Sequence, residues 1–443
     1  MFFHMRRRSG LPLLALAMVS MCLTVLVGTA TGTAQPAHVS VRAPLGGVNI
    51  VGVGNAPIAL ADQAIAQAHA LHAKVVRTEV PWSNIEPLAP GQYAPGALAF
   101  MDRLVADAAS AGIGVVMTVD HTPCWASSAP ASLLRVCLPN ETSKAETWPP
   151  KEPAQYASFV AFLAQRYGSK LAAIEVWNEP DQANEFYFAG PEKPKRYAAI
   201  LRAAYPAIKA VDPSLTVLGG SLVGSNGLFL RALYAAGIKG FYDGLSVHFY
   251  NLTLGSLRSI HEVQVANGDK TPLWLNEFGW TSCLPKRKIE QQQACVTPQL
   301  QAVNLADTFR ALARTPWMAA EIVYKLQGFP AEDFGVLSAS GQRKPSFAAL
   351  SSVLSSPFGN AGNVSLSLSR RGGRVVASGS GPVGDFMQLE AYQGQTLRYK
   401  ALFTLNRYNR YSVKLPSALG QNGLRIRVYQ YWAGPSRAAQ RSI

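Results

Sequence analysis

The sequence predicts a (β/α)8 TIM barrel of the α/β class, followed by a small immunoglobulin-like β-sandwich. Three observations carry that prediction. Eight short runs rich in Val and Ile alternate with longer amphipathic segments between Val48 and Ser356. Five of those runs end in polar residues for which a buried strand has no structural use. Beyond residue 356 the pattern changes to short alternating runs and the charge turns strongly basic.

In chain order the runs are "VNIVGVG" from Val48, "KVVRTEV" from Lys74, "GVVMTVD" from Gly114 and "AAIEVW" from Ala172, then "LTVLGG" from Leu215, "LSVHFY" from Leu245, "PLWLNEFG" from Pro272 and "AEIVYKLQ" from Ala320. Between them, segments such as "ALADQAIAQAHALHA" and "QAVNLADTFRALART" repeat apolar residues every three or four positions, as a helix with one buried face does. Strand then helix, repeated eight times, is the pattern of a closed parallel barrel. Such barrels gather their chemistry at the C-terminal ends of the strands. Here Arg77 and Glu79 close the second run, Asp120 and His121 the third, and Asn178 and Glu179 the fourth. His248 and Tyr250 close the sixth, Asn276 and Glu277 the seventh.

Residues 1–34 read as an export signal. Arg6, Arg7 and Arg8 precede an apolar stretch from Leu11 to Val27, and "TGTA" ending at Ala34 offers a cleavage site. An uncleaved anchor is the rival reading. Export predicts a secreted or cell-wall-associated protein with no membrane span after cleavage, and a monomer is expected. It also places Cys124, Cys137, Cys283 and Cys295 in an oxidising compartment, where the two local pairs, Cys124–Cys137 and Cys283–Cys295, are the simplest bridges. Each such bridge stabilises by about 3 kcal/mol on the loop-entropy account. No Cys-x-x-Cys, clustered His or phosphate-cradling Gly-rich loop before a helix points to a metal or cofactor, and none is expected.

From Pro357 to Ile443 there are 12 Lys and Arg against Asp385 and Glu390, so +10 of the chain's net +15 falls in this stretch. The shift divides the chain into a barrel over 35–356 and a sandwich over 357–443. The runs "VSLSLS", "RVVASGS", "FMQLEAY", "LRYKALF", "YSVKL" and "LRIRVYQYW" supply the strands. The last of them puts basic residues on one face. Two readings stay open for this region: a module that binds an anionic wall polymer or acidic polysaccharide, and a soluble spacer. Nucleic acid is not expected for an exported chain.

Glu179 and Glu277 lie 98 positions apart but end strands four and seven, which face each other across a barrel mouth. Carboxylates about 5–5.5 Å apart suit retaining glycoside hydrolysis, and a gap of about 6.5–9.5 Å suits inversion. Two close carboxylates resist ionising together, which separates an acid from a nucleophile. The structural alternative makes both of them ion-pair partners of Arg77. Glu175 reads as an internal structural acid, and Glu79 is divided between cleft and support. Trp82, Trp125 and Trp280 are either sugar-stacking platforms or loop-core residues. Asp120 and His121 are divided in the same way.

"WNEP" after the fourth run, "NEFGW" at the seventh and the His-x-Tyr of the sixth resemble clan A of the retaining glycoside hydrolases, with families 5 and 39 (endoglycanases and xylosidases among them) closest. The resemblance spans most of residues 46–356. It implies that Glu179 is the acid/base and Glu277 the nucleophile, that Asn178 contacts the sugar 2-hydroxyl, and that Arg77, His248 and Tyr250 flank the nucleophile. "FGVLSASGQRKPSFAAL" is similar to the closing segment of such barrels. One departure stands out. The clan often places a Trp at the end of strand eight, where "YKLQGFP" offers Tyr324, Lys325 and Gln327. A Lys there would suit an acidic sugar or another anionic group. The function implied is a secreted β-glycosidase acting on a poly- or oligosaccharide. A transglycosidase with the same residues and a non-catalytic carbohydrate-binding barrel are the rivals. Sugar, linkage and endo or exo cleavage depend on loops.

Overall fold

The computed structural model describes residues 43–50, 57–139, 143–250, 255–283, 295–313, 315–330, 332–356, 364–381, 386–406, 409–419, 423–430, 435 and 438–443. The export signal expected over 1–34 lies outside the described residues. Eight parallel strands close into a barrel in chain order. They are β1 (Leu45–Asn49), β2 (Val75–Pro81), β3 (Gly114–Asp120), β4 (Leu171–Val176), β5 (Val217–Leu222), β6 (Gly244–Tyr250), β7 (Leu273–Gly279) and β8 (Met318–Val323). Around them run α1 (Ile58–Ala70), the one-turn α2 (Trp82–Ile85), α3 (Pro95–Ser110), the one-turn α4 (Ala131–Leu134), α5 (Pro153–Tyr167), α6 (Lys193–Val211), α7 (Leu228–Ala235), α8 (Gly255–Ala266), α9 (Pro298–Leu312) and α10 (Pro345–Ser355). Five of the long helices carry Pro in their first turn, where its missing N–H costs nothing.

Each apolar run forms a strand, and the largest displacement is in β1. It starts at Leu45, three residues before the expected run, and takes in Gly46 and Gly47. A Cβ on Gly47 would lie 1.9 Å from the Val75 carbonyl oxygen, and one on Gly46 would lie 2.3 Å from Leu354 Cδ2. Glycine is what lets this strand press against both β2 and α10, and a reading by apolar pattern passes over it.

The barrel interior is layered. Val75, Val116, Ala173, Leu218, Trp274, Ala320 and Ile322 fill the lower part. Two residues further along the same strands the inward positions become polar: Arg77 on β2, Thr118 on β3, Glu175 on β4, Asn276 on β7. The pairing of β6 with β7 then slips, from Val247 opposite Leu275 to His248 opposite Glu277. Strict alternation would send Asn276 and Glu277 to opposite faces. The irregularity lets both reach the interior, which is a common use of a bulge beside a site.

The C-terminal region forms two antiparallel sheets. β9 (Ser367–Arg371), β10 (Arg374–Ser380) and β13 (Arg410–Lys414) make one, in the order β13-β10-β9. β11 (Phe386–Gln393), β12 (Thr396–Thr404), β14 (Leu424–Gln430) and β15 (Ala439–Ser442) make the other, in the order β12-β11-β14-β15. Val375 and Ala377 from the first sheet share one core with Met387, Leu389, Ile426 and Val428 from the second, so the fold is a barrel with an appended β-sandwich. Cys124–Cys137 and Cys283–Cys295 are both bonded, as expected from their spacing. Among the described residues no helix is long and apolar enough to cross a membrane.

Candidate active site

Arg77 is the hub of the polar layer. It is 3% exposed, and its guanidinium donates from Nε to Glu175 at 2.7 Å, from Nη1 to Glu277 at 2.6 Å and to Asn49 at 2.9 Å, and from Nη2 to Asn178 at 2.8 Å. Glu175 is wholly buried and also accepts from Thr118 at 2.6 Å and Asn276 at 2.7 Å. Burial would push its carboxyl up, but the Arg77 charge, with help from His248, Ser246 and Thr118, outweighs that and holds it at about 2. Glu175 is therefore a structural anion beneath the site, as expected.

Above this layer Glu179 and Glu277 meet. The backbone of Trp177 and Glu179 is left-handed, at φ 72° and 43°, which turns the chain sharply at the end of β4. Trp177 is buried, and its indole N–H donates to the Tyr187 carbonyl at 2.9 Å, tying the following loop to the strand. His248 Nδ1 lies 2.9 Å from Glu179 Oε1 and 3.6 Å from Glu277 Oε2. One ligand atom from each of Glu179, His248 and Glu277 falls within 4.8 Å of the others. Burial disfavours the His248 cation, but Glu277 and the bond to Glu179 outweigh it and raise its pKa. Glu277 accepts from Arg77 and from the Tyr250 hydroxyl, and Glu179 accepts from Gln182. Burial, then Glu277, pushes the Tyr250 hydroxyl well up, so it stays a proton donor.

These groups open onto a cavity of about 590 Å³. Its walls include Tyr187, Tyr250, Tyr324 and Phe334, with Phe186 and Phe329 on the rim at 62% and 49% exposure. Lys325 also lines it. The Lys325 ammonium donates to Glu332 at 2.7 Å and lies 2.9 Å from the centre of the Phe329 ring, so an acid of this chain already matches the cation expected to select an acidic sugar.

Six of the residues singled out by sequence converge here: Arg77, Asn178, Glu179, His248, Tyr250 and Glu277. The three tryptophans do not. Trp82 is fully buried, stacked on Phe159 at 5.6 Å with its N–H on Glu86, so it has no free face for a sugar. Trp125 meets Trp82 edge-on at 5.5 Å and donates to the Glu86 carbonyl. Trp280 is 6% exposed and packs edge-on to Phe278. The aromatic walls come from loops after β4 and β8, where "NEFYF" and "EDF" carried the signal as clustered aromatics beside acids. Gln182, in the same loop as Tyr187, also lines the cavity against Glu179, and nothing in its sequence surroundings marks it.

Glu79 joins the cleft from the end of β2. Burial and the neighbouring Asp120 raise its pKa to about 8. His121 Nδ1 lies 2.8 Å from Asp120 Oδ1. Burial opposes the His121 cation, but Asp120 prevails and raises it to about 9. At neutral pH the cleft therefore holds a neutral Glu79, with the charged His121 near it outside the residues that line the cavity.

No protein-family model matches the sequence, and no curated protein matches it. Solved structures do. A family 39 glycoside hydrolase from Bacteroides cellulosilyticus WH2 superposes with a TM-score of 0.55 at 20% identity, over 84% of this chain and 81% of that one. The chain shares the barrel fold of that structure. A monomeric beta-xylosidase from Caulobacter crescentus CB15 superposes at 0.52 and 15% identity, over 84% and 95% of the two chains. The GH39 enzyme from Xanthomonas axonopodis pv. citri gives 0.51 and 14%, over 85% and 92%. The fold is thus the one implied by the motif resemblance to family 39.

Proposed function

We propose that this chain is an exported retaining β-glycosidase acting on a β-linked poly- or oligosaccharide, with Glu179 as acid/base and Glu277 as nucleophile. The observation that carries the reading is the closeness of the two carboxylates across the barrel mouth, with oxygens within 4.8 Å. That gap is near the about 5–5.5 Å of retaining sites and leaves no room for the water that inversion places between sugar and base. The partners divide the roles. Arg77, a permanent cation, holds Glu277. Glu179 shares its bond with His248, a group that can itself take up and release a proton.

In the first step a Glu277 oxygen bonds the anomeric carbon, the glycosidic C–O bond breaks, and the Glu179 proton goes to the leaving oxygen. In the second step water gives a proton to Glu179 and bonds the anomeric carbon, and the ester to Glu277 breaks. Phe186 and Phe329 offer exposed faces at the rim for further sugars of a chain. The excess positive charge of the C-terminal region makes an anionic wall polymer the partner against which the enzyme is held. NMR of the first-formed product from an aryl β-glycoside is expected to show the β anomer before mutarotation. An α anomer as first product would replace this mechanism by inversion.

Glu79 gives the cleft a pH limit. Its carboxyl is neutral below about 8 and charged above it, adding an anion to the cavity that Glu277 also lines. On an aryl glycoside whose leaving group needs no proton, kcat/KM is expected to fall roughly fivefold as pH rises through that value, a like-charge effect of about 1 kcal/mol. Glu79→Gln is expected to flatten that fall. An unchanged profile in the variant would place the titrating group elsewhere.

A further inference from the structure

The outer face of the four-stranded sheet carries a pattern that the barrel chemistry does not use. On β14, Leu424, Ile426 and Val428 are buried in the sandwich core, so Arg425 and Arg427 project from the other side. On β12, Tyr399, Ala401 and Phe403 pack toward the core, leaving Arg398 and Lys400 outward. β11 lies between them. Its pairing sets Tyr392 opposite Arg425 and Glu390 opposite Arg427 on one side, and Glu390 opposite Lys400 on the other. One rung results across the sheet, Lys400–Glu390–Arg427; beyond it the register of β12 shifts, so Tyr392, opposite Arg425 on β14, faces Leu397 on β12, with Arg398 next to it in the chain. The end residues of that rung, Lys400 and Arg427, stand two strand spacings apart, roughly 9–10 Å.

The centre of this face is already built around a carboxylate. Glu390 accepts from Arg427 Nε at 2.6 Å, from the Tyr429 hydroxyl at 2.9 Å and from the Tyr392 hydroxyl at 2.8 Å. Arg427 and Arg425 lie over the Tyr392 ring, at 5.2 and 4.9 Å from its centre. Stacking on Tyr fixes the guanidinium planes, so less side-chain freedom is lost when they take up an anion. Glu390 satisfies Arg427. Among the described residues no ion pair reaches Arg398, Lys400 or Arg425, and Asp385 is the only other acid between Pro357 and Ile443. Arg398 and Lys400 are exposed and Arg425 is half-buried.

We propose that this sheet face binds an acidic polysaccharide, with carboxylates along the glycan paired to Arg398, Lys400 and Arg425. Charge complementarity and chemistry choose the occupant. The face holds cations on two strands either side of β11, Arg398 and Lys400 on one and Arg425 on the other, which suits a linear polymer bearing a carboxylate on each sugar. The way Glu390 is held shows the contacts such a group would meet, Arg forks and Tyr hydroxyls. The inference goes beyond the glycosidase reading and does not depend on it.

The test uses the full chain and polygalacturonate as probe, in calorimetric titrations at about 20 mM and about 300 mM salt, a range over which screening of exposed charges changes strongly. Binding is expected at low salt and is expected to weaken steeply at high salt. The triple variant Arg398→Gln, Lys400→Gln, Arg425→Gln, which leaves Glu390 and its partners in place, should bind at least about tenfold more weakly. Its turnover of an aryl glycoside should match the parent. A parent that does not bind polygalacturonate, a triple variant that binds it equally well, or a neutral β-glucan held as tightly by the same residues would each overturn the proposal. So would tighter binding of duplex DNA or anionic lipid vesicles, which would make this face a site for phosphate. If aryl-glycoside turnover is absent while polygalacturonate binding follows these residues, the glycosidase reading fails and the face stands.

Discussion

Glu277→Ala is expected to lower turnover by about 10⁴-fold or more on every glycoside, because no covalent intermediate forms without that oxygen. Glu179→Ala should behave differently. On a substrate with a poor leaving group it should lose about 10²–10⁴-fold, the usual worth of a positioned proton donor. On an activated aryl glycoside the first step should survive and the second should stall for want of a base. Azide separates the two roles by stereochemistry. In Glu179→Ala it should attack the trapped intermediate and give the β-glycosyl azide. In Glu277→Ala it should enter from the vacated face and give the α product. Swapped outcomes would exchange the two assignments, and near-parental activity in both variants would remove the paired-carboxylate site altogether. The contact of Glu277 with Arg77 and Tyr250, and of Glu179 with His248 and Gln182, is the physical basis for expecting two phenotypes from two residues of the same type.

Arg77→Ala is expected to destabilise the protein by about 3–5 kcal/mol at neutral pH, because Glu175 would keep its burial and lose its cation. The pH dependence identifies the cause. In the parent, Glu175 sits at about 2 against an ordinary 4.5. A depressed carboxyl contributes stability above its unfolded value, and that contribution, about 3 kcal/mol here, is lost as pH falls from about 4.5 toward about 2. In Arg77→Ala, burial dominates and pushes Glu175 up instead, so the slope reverses and acid should partly restore stability. Urea midpoints from pH 3 to 7 test this. Parallel curves for parent and variant would mean that lost packing, not the buried charge, explains the loss. Should Arg77→Ala fail to fold at neutral pH, the double change Arg77→Met with Glu175→Gln is expected to recover most of the stability, since it leaves no unpaired charge.

The sequence by itself determined the eight strands, the helices between them, the change to alternating strands after Ser356, the two disulfides and the meeting of Glu179 with Glu277. All of these rest on short-range signals. A strand repeats every two residues, a helix every three or four, a cysteine finds the nearest partner, and the residue ending a barrel strand points to one mouth whatever lies elsewhere. Tertiary structure decided the rest. Trp82 and Phe186 look equally suited to a sugar in one dimension, yet Trp82 is enclosed by Phe159 and Trp125 while Phe186 stands open. Asn276 and Glu277 both face inward only because β7 slips against β6. Lys325 read as a free cation until the loop after β8 brought Glu332 against it. The Tyr392–Arg425–Arg427 cluster exists only through the register of β11 with β14. Burial, charge pairing and strand register each depend on residues far away in the chain, and no local period carries that information.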